Sequence, residues 1–114
     1  MQAYGILYKF AVQLKNQLMP KKKITKKVYL QWYEDMLFWR KFEDKAAALY
    51  IQQKIRGFLH LYNGQEAVLA ASVFAMEEND RMITAYRNHV QPIALGVDAK
   101  RVMAELFGKI TGTS

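Results

Sequence analysis

The longest stretch of the chain without a helix breaker runs between Pro20 and Gly57. Within it, apolar residues recur at steps of three and four, the spacing that places side chains on one side of an α-helix. These residues are Tyr29, Trp32, Met36, Trp39, Phe42, Ala46 and Leu49, flanked by a second line, Leu30, Tyr33 and Leu37. We therefore predict one helix from about Lys26 to about Gln53, with Thr25 as its N-cap.

The apolar stripe on this helix is broader than the rest of a 114-residue chain can easily cover. We interpret its aromatic residues as core residues rather than as contacts to a cofactor. An uncovered apolar surface of this kind marks an interaction site. We therefore expect part of the stripe to pack against a neighbouring subunit or against further chain.

The formal net charge of +7 comes from the beginning of the chain. No acidic residue precedes Glu34, whereas lysines occupy positions 9, 15, 21, 22, 23, 26 and 27. From Glu34 onward, ten Lys and Arg residues balance ten Asp and Glu residues. Because the excess charge is confined to one arm, it argues against a nucleic-acid-binding face on the body of the protein.

Residues 1–23 are predicted to form a basic amphipathic arm, and residues 24–114 the body. The arm carries an apolar stripe at Ile6, Phe10, Leu14 and Leu18. Its apolar run is too short to span a membrane, and it lacks both a cleavage pattern and the Arg and Ser content of a mitochondrial transit peptide. We interpret it as a peripheral arm that packs on the body or on a partner; a membrane-surface or targeting helix is the alternative.

Shorter elements are predicted after Gly57, each bounded by turn or cap signals. In chain order they are a helix over 65–76, a polar turn over 77–80, a short strand over 81–86, a loop or short helix over 88–96 broken by Pro92, and a last helix that Asp98 caps and Gly108 ends. Glu66 lies in the first turn of the helix over 65–76. A carboxylate there is better explained as an electrostatic cap than as a general base.

The chain has no cysteine, which excludes disulfides, thiolate metal sites and cysteine nucleophiles. It also lacks the glycine-rich phosphate loops and the HExxH and GxSxG motifs. Its two histidines, His60 and His89, have no spacing to Glu66 that is diagnostic of a metal site, so no metal ligands are predicted.

Two loops remain as candidates for a functional site. One carries His60 between Gly57 and the turn signal Asn63-Gly64, and the other carries Tyr86-Arg87 at the end of the predicted strand. Strand ends often carry ligand sites, and an arginine there can bind a phosphate in fork geometry. We expect the two loops to come together. The residues alone therefore indicate a helical domain with an anion site.

Several runs of residues, in the right order and with compatible gaps, closely resemble the alpha subunit of the thiamine-diphosphate-dependent pyruvate dehydrogenase component. They are Tyr33–Ala47, Lys54–Val68, Ile83–His89, Gly96–Asp98 and Met103–Gly112. The resemblance covers about residues 24–114. It implies an α/β thiamine-diphosphate-binding fold, represented here by a mainly α-helical N-terminal fragment with one or two short strands.

The resemblance also implies a function and partners. The family forms a heterotetramer of two alpha and two beta chains, with thiamine diphosphate at the interface between them. It decarboxylates pyruvate oxidatively and passes the acetyl group to a lipoyl carrier on dihydrolipoyl acetyltransferase, which feeds acetyl-CoA synthesis. The glutamate that activates the cofactor comes from the beta chain, so Glu66 is not assigned that role.

Four residues match positions that the family uses at its site. His60 corresponds to a histidine beside the substrate carboxylate and the reacting carbon, and Tyr86 to a tyrosine that borders cofactor and substrate. Arg87 corresponds to the arginine that neutralises the cofactor's diphosphate. His89 falls where the family often has a second histidine and ranks below the other three.

The chain departs from the family pattern in one major respect. The family binds Mg²⁺ and diphosphate on a Gly-Asp-Gly stretch, and this chain contains no Gly-Asp pair. We therefore expect the chain to be the N-terminal third of an alpha subunit, with half of a site and no activity by itself. A smaller departure is Val90, where the family commonly has glycine.

Three alternatives to a pyruvate-specific enzyme stay open at this stage. The chain resembles the alpha subunits of branched-chain 2-oxo acid and acetoin dehydrogenases as well, and it fits a non-catalytic fragment that docks on a beta subunit. The expected compartment is the cytoplasm for a bacterial-type protein and the mitochondrial matrix for a eukaryotic one. No membrane span and no nucleic acid are expected.

Overall fold

Lys9, Gln13 and residues 22–114 are the part of the chain that the computed structural model describes. The predicted arm over 1–23 therefore lies almost wholly outside the described residues, as do its apolar residues Ile6, Phe10, Leu14 and Leu18. Residues 22–114 contain four helices, which are α1 (Lys26–Ile51), α2 (Glu66–Ala75), α3 (Val90–Ala94) and α4 (Ala99–Leu106).

The long helix α1 confirms the prediction from apolar spacing. Its 26 residues begin after Thr25, whose side chain accepts a hydrogen bond from the backbone N–H of Val28 at 3.4 Å. This contact satisfies one of the N–H groups that the first turn of a helix leaves unpaired. None of the helices among the described residues has the length and apolar content needed to cross a membrane.

The rest of the described chain covers only part of the apolar surface of α1. Trp39, Phe42 and Ala46 are buried, whereas Leu30 and Tyr33 are 56% and 63% exposed. The second apolar line therefore faces solvent, as the width of the stripe predicted. Exposed apolar surface on this scale marks an interaction face rather than a finished core.

The three shorter helices all pack against α1 and build one small core. The core consists of Trp39 and Phe42 from α1, Tyr62 from the following loop, Leu69 and Ala70 from α2, Val90 from α3 and Val102 from α4. Trp32 extends this core by an edge-to-face contact with Phe74, with ring centroids 5.3 Å apart.

The last helix, α4, starts and stops where the sequence predicts. The Asp98 carboxylate accepts a hydrogen bond from the backbone N–H of Lys100 at 2.8 Å. Gly108 has a φ of 63°, in the left-handed region that favours glycine after a helix. The backbone N–H of Lys109 then donates to the carbonyl of Ala104 at 2.9 Å, which closes the helix end.

Pro92 does not break α3, contrary to the prediction. It is the third residue of the helix that runs Val90–Ala94. A proline in the first turn costs little, because the backbone N–H that it lacks would have no partner within the helix.

The predicted strand over 81–86 is wrong, and no strand occurs in residues 22–114. A strand needs hydrogen bonds to a neighbouring strand, and the described chain supplies no such neighbour. Ile83, the most apolar residue of the segment, is 97% exposed. The described residues therefore form a mainly helical structure without the one or two strands that were expected.

Candidate active site

The loop between α1 and α2 carries His60 between two buried side chains. Ile55 and Tyr62 are 3% and 8% exposed, whereas His60 between them is exposed. Burial raises the pKa of the Tyr62 phenol above its ordinary value, so this side chain stays neutral in the interior. Because the loop is fixed on both sides, it presents the imidazole to solvent at a defined place.

A bidentate salt bridge fixes the end of this loop to α1. Arg40 Nε and Nη2 donate to the two carboxylate oxygens of Glu66 at 2.6 and 2.9 Å. The backbone N–H of Gly64 also donates to this carboxylate, at 3.0 Å from Oε2. Hydrogen bonds from Arg40 and Gly64 hold the pKa of Glu66 below its ordinary value, although its burial acts in the opposite direction. Glu66 therefore serves as a loop anchor and electrostatic cap.

The Arg40–Glu66 salt bridge predicts a specific dependence of stability on pH. Because the folded-state pKa of Glu66 is lowered, its contribution is complete above the ordinary carboxyl pKa and disappears as pH falls through the folded-state value. We expect Glu66→Gln to lower the free energy of unfolding by about 1–3 kcal/mol at neutral pH. Urea unfolding should show the difference from the unsubstituted chain shrinking as the solution is acidified.

A matched control is Glu34→Gln, which removes an exposed carboxylate from α1. It should change the free energy of unfolding little at any pH, because exposed charges contribute little to stability. A Glu66→Gln deficit that stays constant through the acid range would contradict the assignment.

The second loop, between α2 and α3, carries Tyr86 and Arg87. Arg87 has a φ of 65°, which is uncommon for a residue other than glycine and carries conformational strain. Arg87 Nη1 donates a hydrogen bond to the carbonyl of Leu61 at 2.6 Å. The Gln91 side-chain amide donates to the carbonyl of Arg87 at 3.1 Å. These contacts tie the second loop to the loop of His60 and to the first turn of α3.

The two loops bring His60, Tyr86 and Arg87 together, and we refer to these three residues as the surface cluster. The His60 and Tyr86 rings meet edge to face, with centroids 5.0 Å apart and planes at 79°. The guanidinium carbon of Arg87 lies 5.3 Å from the centre of the Tyr86 ring. Tyr86 is 67% exposed. The cluster therefore offers a cation and two polar rings to a ligand at the surface.

His89 is less exposed than the surface cluster and contacts a different partner. Its Nδ1 lies 3.1 Å from both carboxylate oxygens of Glu43 on α1. The Glu43 side chain is 1% exposed and that of His89 is 14% exposed. This contact ties the start of α3 to α1.

The structure does not assemble His60, His89 and Glu66 into a metal site. Glu66 is paired with Arg40, and His89 is paired with Glu43. The exposed His60 ring instead contacts Tyr86. In residues 22–114, no group of three His, Asp or Glu side chains is placed to hold a metal ion.

Sequence reasoning missed the contributions of Arg40 and Glu43. A signal for Glu43 was present, because it follows Trp39 by four residues and precedes Ala46 by three, which places it on the buried side of α1. A carboxylate in that position needs a buried partner. Arg40 lies on the exposed side of the same turn and gave no comparable signal.

A family profile described as the dehydrogenase E1 component matches residues 34–114. This match covers most of the chain. It includes the surface cluster and the two residues of α1, Arg40 and Glu43, that contact the site loops.

Three relatives illustrate how similar the chain is to known proteins. It is 48% identical over 89 residues to the pyruvate dehydrogenase E1 component subunit alpha-3, chloroplastic, of Arabidopsis thaliana, covering 78% of this chain and 21% of the relative. It is 48% identical over 91 residues to the pyruvate dehydrogenase E1 component subunit alpha of Porphyra purpurea, covering 80% and 26%. For the subunit of the same name in Rickettsia felis, identity is 47% over 96 residues, covering 83% and 29%. The chain thus spans between 21% and 29% of the length of these relatives.

Proposed function

The chain belongs to the dehydrogenase E1 component family, and on that premise we propose that it forms part of the alpha subunit of a thiamine-diphosphate-dependent pyruvate dehydrogenase. The names of the relatives favour pyruvate over branched-chain 2-oxo acids and acetoin. The proposed reaction is oxidative decarboxylation of pyruvate, with transfer of the acetyl group to a lipoyl carrier.

The observation that carries this proposal is the convergence of the surface cluster. His60, Tyr86 and Arg87 come from two loops that are 26 residues apart, and the Arg87–Leu61 hydrogen bond joins them directly. A donating imidazole at such a site can stabilise negative charge that develops on a bound 2-oxo acid. We propose His60 as the catalytic residue, with Tyr86 also contacting substrate.

The residues of the surface cluster fit the cofactor that the family implies. A guanidinium has five N–H donors and Leu61 accepts one of them, so Arg87 retains donors for binding a diphosphate in fork geometry. The exposed Tyr86 ring offers an apolar face beside this cation. Thiamine diphosphate supplies the carbon nucleophile and electron sink that decarboxylation of a 2-oxo acid requires. We propose that Tyr86 and Arg87 hold it, with Mg²⁺ bound by residues outside this chain.

The proposed partners are a beta subunit, in an α2β2 assembly, and dihydrolipoyl acetyltransferase. The exposed apolar line of α1 supports the first of these, because Leu30, Tyr33 and Leu37 are 56%, 63% and 40% exposed. We propose the bacterial cytoplasm or the mitochondrial matrix as the compartment. A plastid is a further choice, since one relative is described as chloroplastic.

A hybrid enzyme tests the proposed function. Residues 34–114 replace the matching segment of the Porphyra purpurea alpha subunit, which is then produced together with its beta subunit. We expect the hybrid enzyme to bind thiamine diphosphate in the presence of Mg²⁺ and to decarboxylate pyruvate in preference to 3-methyl-2-oxobutanoate. A hybrid that assembles but turns over neither substrate would refute the proposal, and a preference for the branched substrate would redirect it.

The 114-residue chain alone should behave differently from the hybrid enzyme. We expect no measurable decarboxylation and no tight cofactor binding, because the surface cluster is open to solvent and supplies only one side of the proposed site. Isothermal calorimetry with thiamine diphosphate and Mg²⁺ checks this. Tight, Mg²⁺-dependent binding by the isolated chain would contradict the prediction.

A further inference from the structure

Glu43 is a buried carboxylate that none of the roles assigned so far explains. Its side chain is 1% exposed, and both oxygens lie 3.1 Å from His89 Nδ1. A buried carboxylate is costly unless it is paired and hydrogen-bonded. The hydrogen-bond contact with His89 Nδ1 supplies that partner.

The pair adjoins, along the chain, the part of the surface cluster that needs most support. His89 is two residues beyond Arg87, whose φ of 65° is strained. Such a conformation persists only when surrounding contacts hold it in place. Three contacts do so here: Arg87 to Leu61, Gln91 to the carbonyl of Arg87, and His89 to Glu43. Only the last of these ties the loop to the long helix α1.

We propose that Glu43 is a positioning residue for cofactor binding. Acting through His89, it holds the Tyr86–Arg87 loop so that the phenol and the guanidinium stay beside His60. This inference rests on the proposed function, and it adds a residue whose hydrogen-bond contact, within the described part of the chain, is with His89. Arg40 does the equivalent for the loop of His60 through Glu66.

Stability alone is a poor explanation for the Glu43–His89 pair. Replacing both members of a buried ionisable pair by apolar residues of similar size is often neutral or stabilising. A purely structural pair should therefore be replaceable without functional loss. A positioning pair should not, because small displacements of a binding group from its productive geometry lower activity strongly.

Substitutions in the hybrid enzyme separate the two roles. Glu43→Met removes the buried charge at similar volume, and the double variant Glu43→Met/His89→Phe makes the site apolar. Glu43→Gln keeps an acceptor of the same shape for His89 Nδ1. Glu34→Gln, an exposed carboxylate on the same helix, is the matched control. Each variant is measured for thiamine diphosphate affinity by calorimetry with Mg²⁺, for unfolding by urea and for kcat and KM with pyruvate.

We expect Glu43→Met and the double variant to bind thiamine diphosphate roughly 10- to 100-fold more weakly, with the double variant as stable as the unsubstituted hybrid. Glu43→Gln should retain affinity within about threefold, since the hydrogen bond survives. A double variant with unchanged affinity would overturn the inference, and so would a Glu43→Gln loss as large as that of Glu43→Met.

The proposed function and this inference fail in different ways. An unsubstituted hybrid that assembles without cofactor binding or turnover defeats the proposed function. An active hybrid in which Glu43→Met binds the cofactor normally defeats only the positioning role. A double variant Glu43→Met/His89→Phe that cannot assemble also defeats it, because replacing both members of the pair by apolar residues of similar size should not prevent folding.

Discussion

Replacing His60 by alanine in the hybrid enzyme is expected to lower kcat for pyruvate by roughly 10²- to 10³-fold, the loss typical of removing one donor that stabilises developing charge. The thiamine diphosphate affinity should change little, because Arg87 and Tyr86 are untouched. Stability should also be preserved, since His60 is exposed and its ring contact is with the exposed Tyr86. Steady-state kinetics and urea unfolding on the same preparation provide the two measurements.

Arg56→Gln is the control for this experiment, because it alters another exposed side chain in the loop between α1 and α2. It should leave kcat within about twofold of the unsubstituted hybrid, as expected for an exposed residue outside the surface cluster. An unchanged kcat in the His60→Ala hybrid would remove His60 from the reaction. A loss that follows reduced assembly would instead make it a structural residue.

Arg87→Met should raise the dissociation constant for thiamine diphosphate by roughly 10- to 100-fold. The substitution removes charge-assisted hydrogen bonds to the diphosphate, each contributing about 1.5–3 kcal/mol. It also removes the bond to the Leu61 carbonyl, so the two loops lose their direct connection. Arg87→Lys should recover only part of the affinity, because an ammonium cannot reproduce the fork geometry of a guanidinium.

Arg81→Met is the matched control for the cofactor measurement. Arg81 is exposed and lies in the same connection between α2 and α3. Within residues 22–114 its hydrogen bonds go to the nearby backbone carbonyls of Asn79 and Asp80. It removes the same charge without touching the cluster. Equal weakening by Arg81→Met and Arg87→Met would indicate a general charge effect and would argue against a specific diphosphate contact.

Local signals in the sequence predicted the helices well. Thr25 and Asp98 cap the helices that follow them, because a side-chain oxygen at that position satisfies backbone N–H groups nearby along the chain. The apolar period fixed the length of α1 to within a few residues. The caps and the apolar period depend on contacts within one or two helical turns. A single sequence is therefore enough to predict them.

Features that depend on distant contacts were harder to predict. The segment over 81–86 has the composition of a strand, but pairing needs a neighbour that the described residues lack. The meeting of His60 with Tyr86 and Arg87 was expected from the two loops and the family resemblance, and the geometry agrees. Their supports, Glu66 with Arg40 and Glu43 with His89, join positions between 26 and 46 residues apart. No local pattern identifies such partners.

The Arg40–Glu66 and Glu43–His89 pairs both start from α1, and this limits where the chain can accept insertions. Arg40 and Glu43 are three residues apart, which corresponds to about 4.5 Å along the helix axis. Inserting one residue between them would swing one anchor by about 100° around the axis relative to the other. Insertions at exposed positions farther from the site, such as Glu78, would leave Arg40 and Glu43 in register. The spacing of Arg40 and Glu43 within one helical turn therefore sets the relative position of the two site loops. Insertions should be tolerated in exposed loops outside the site before they are tolerated in this turn.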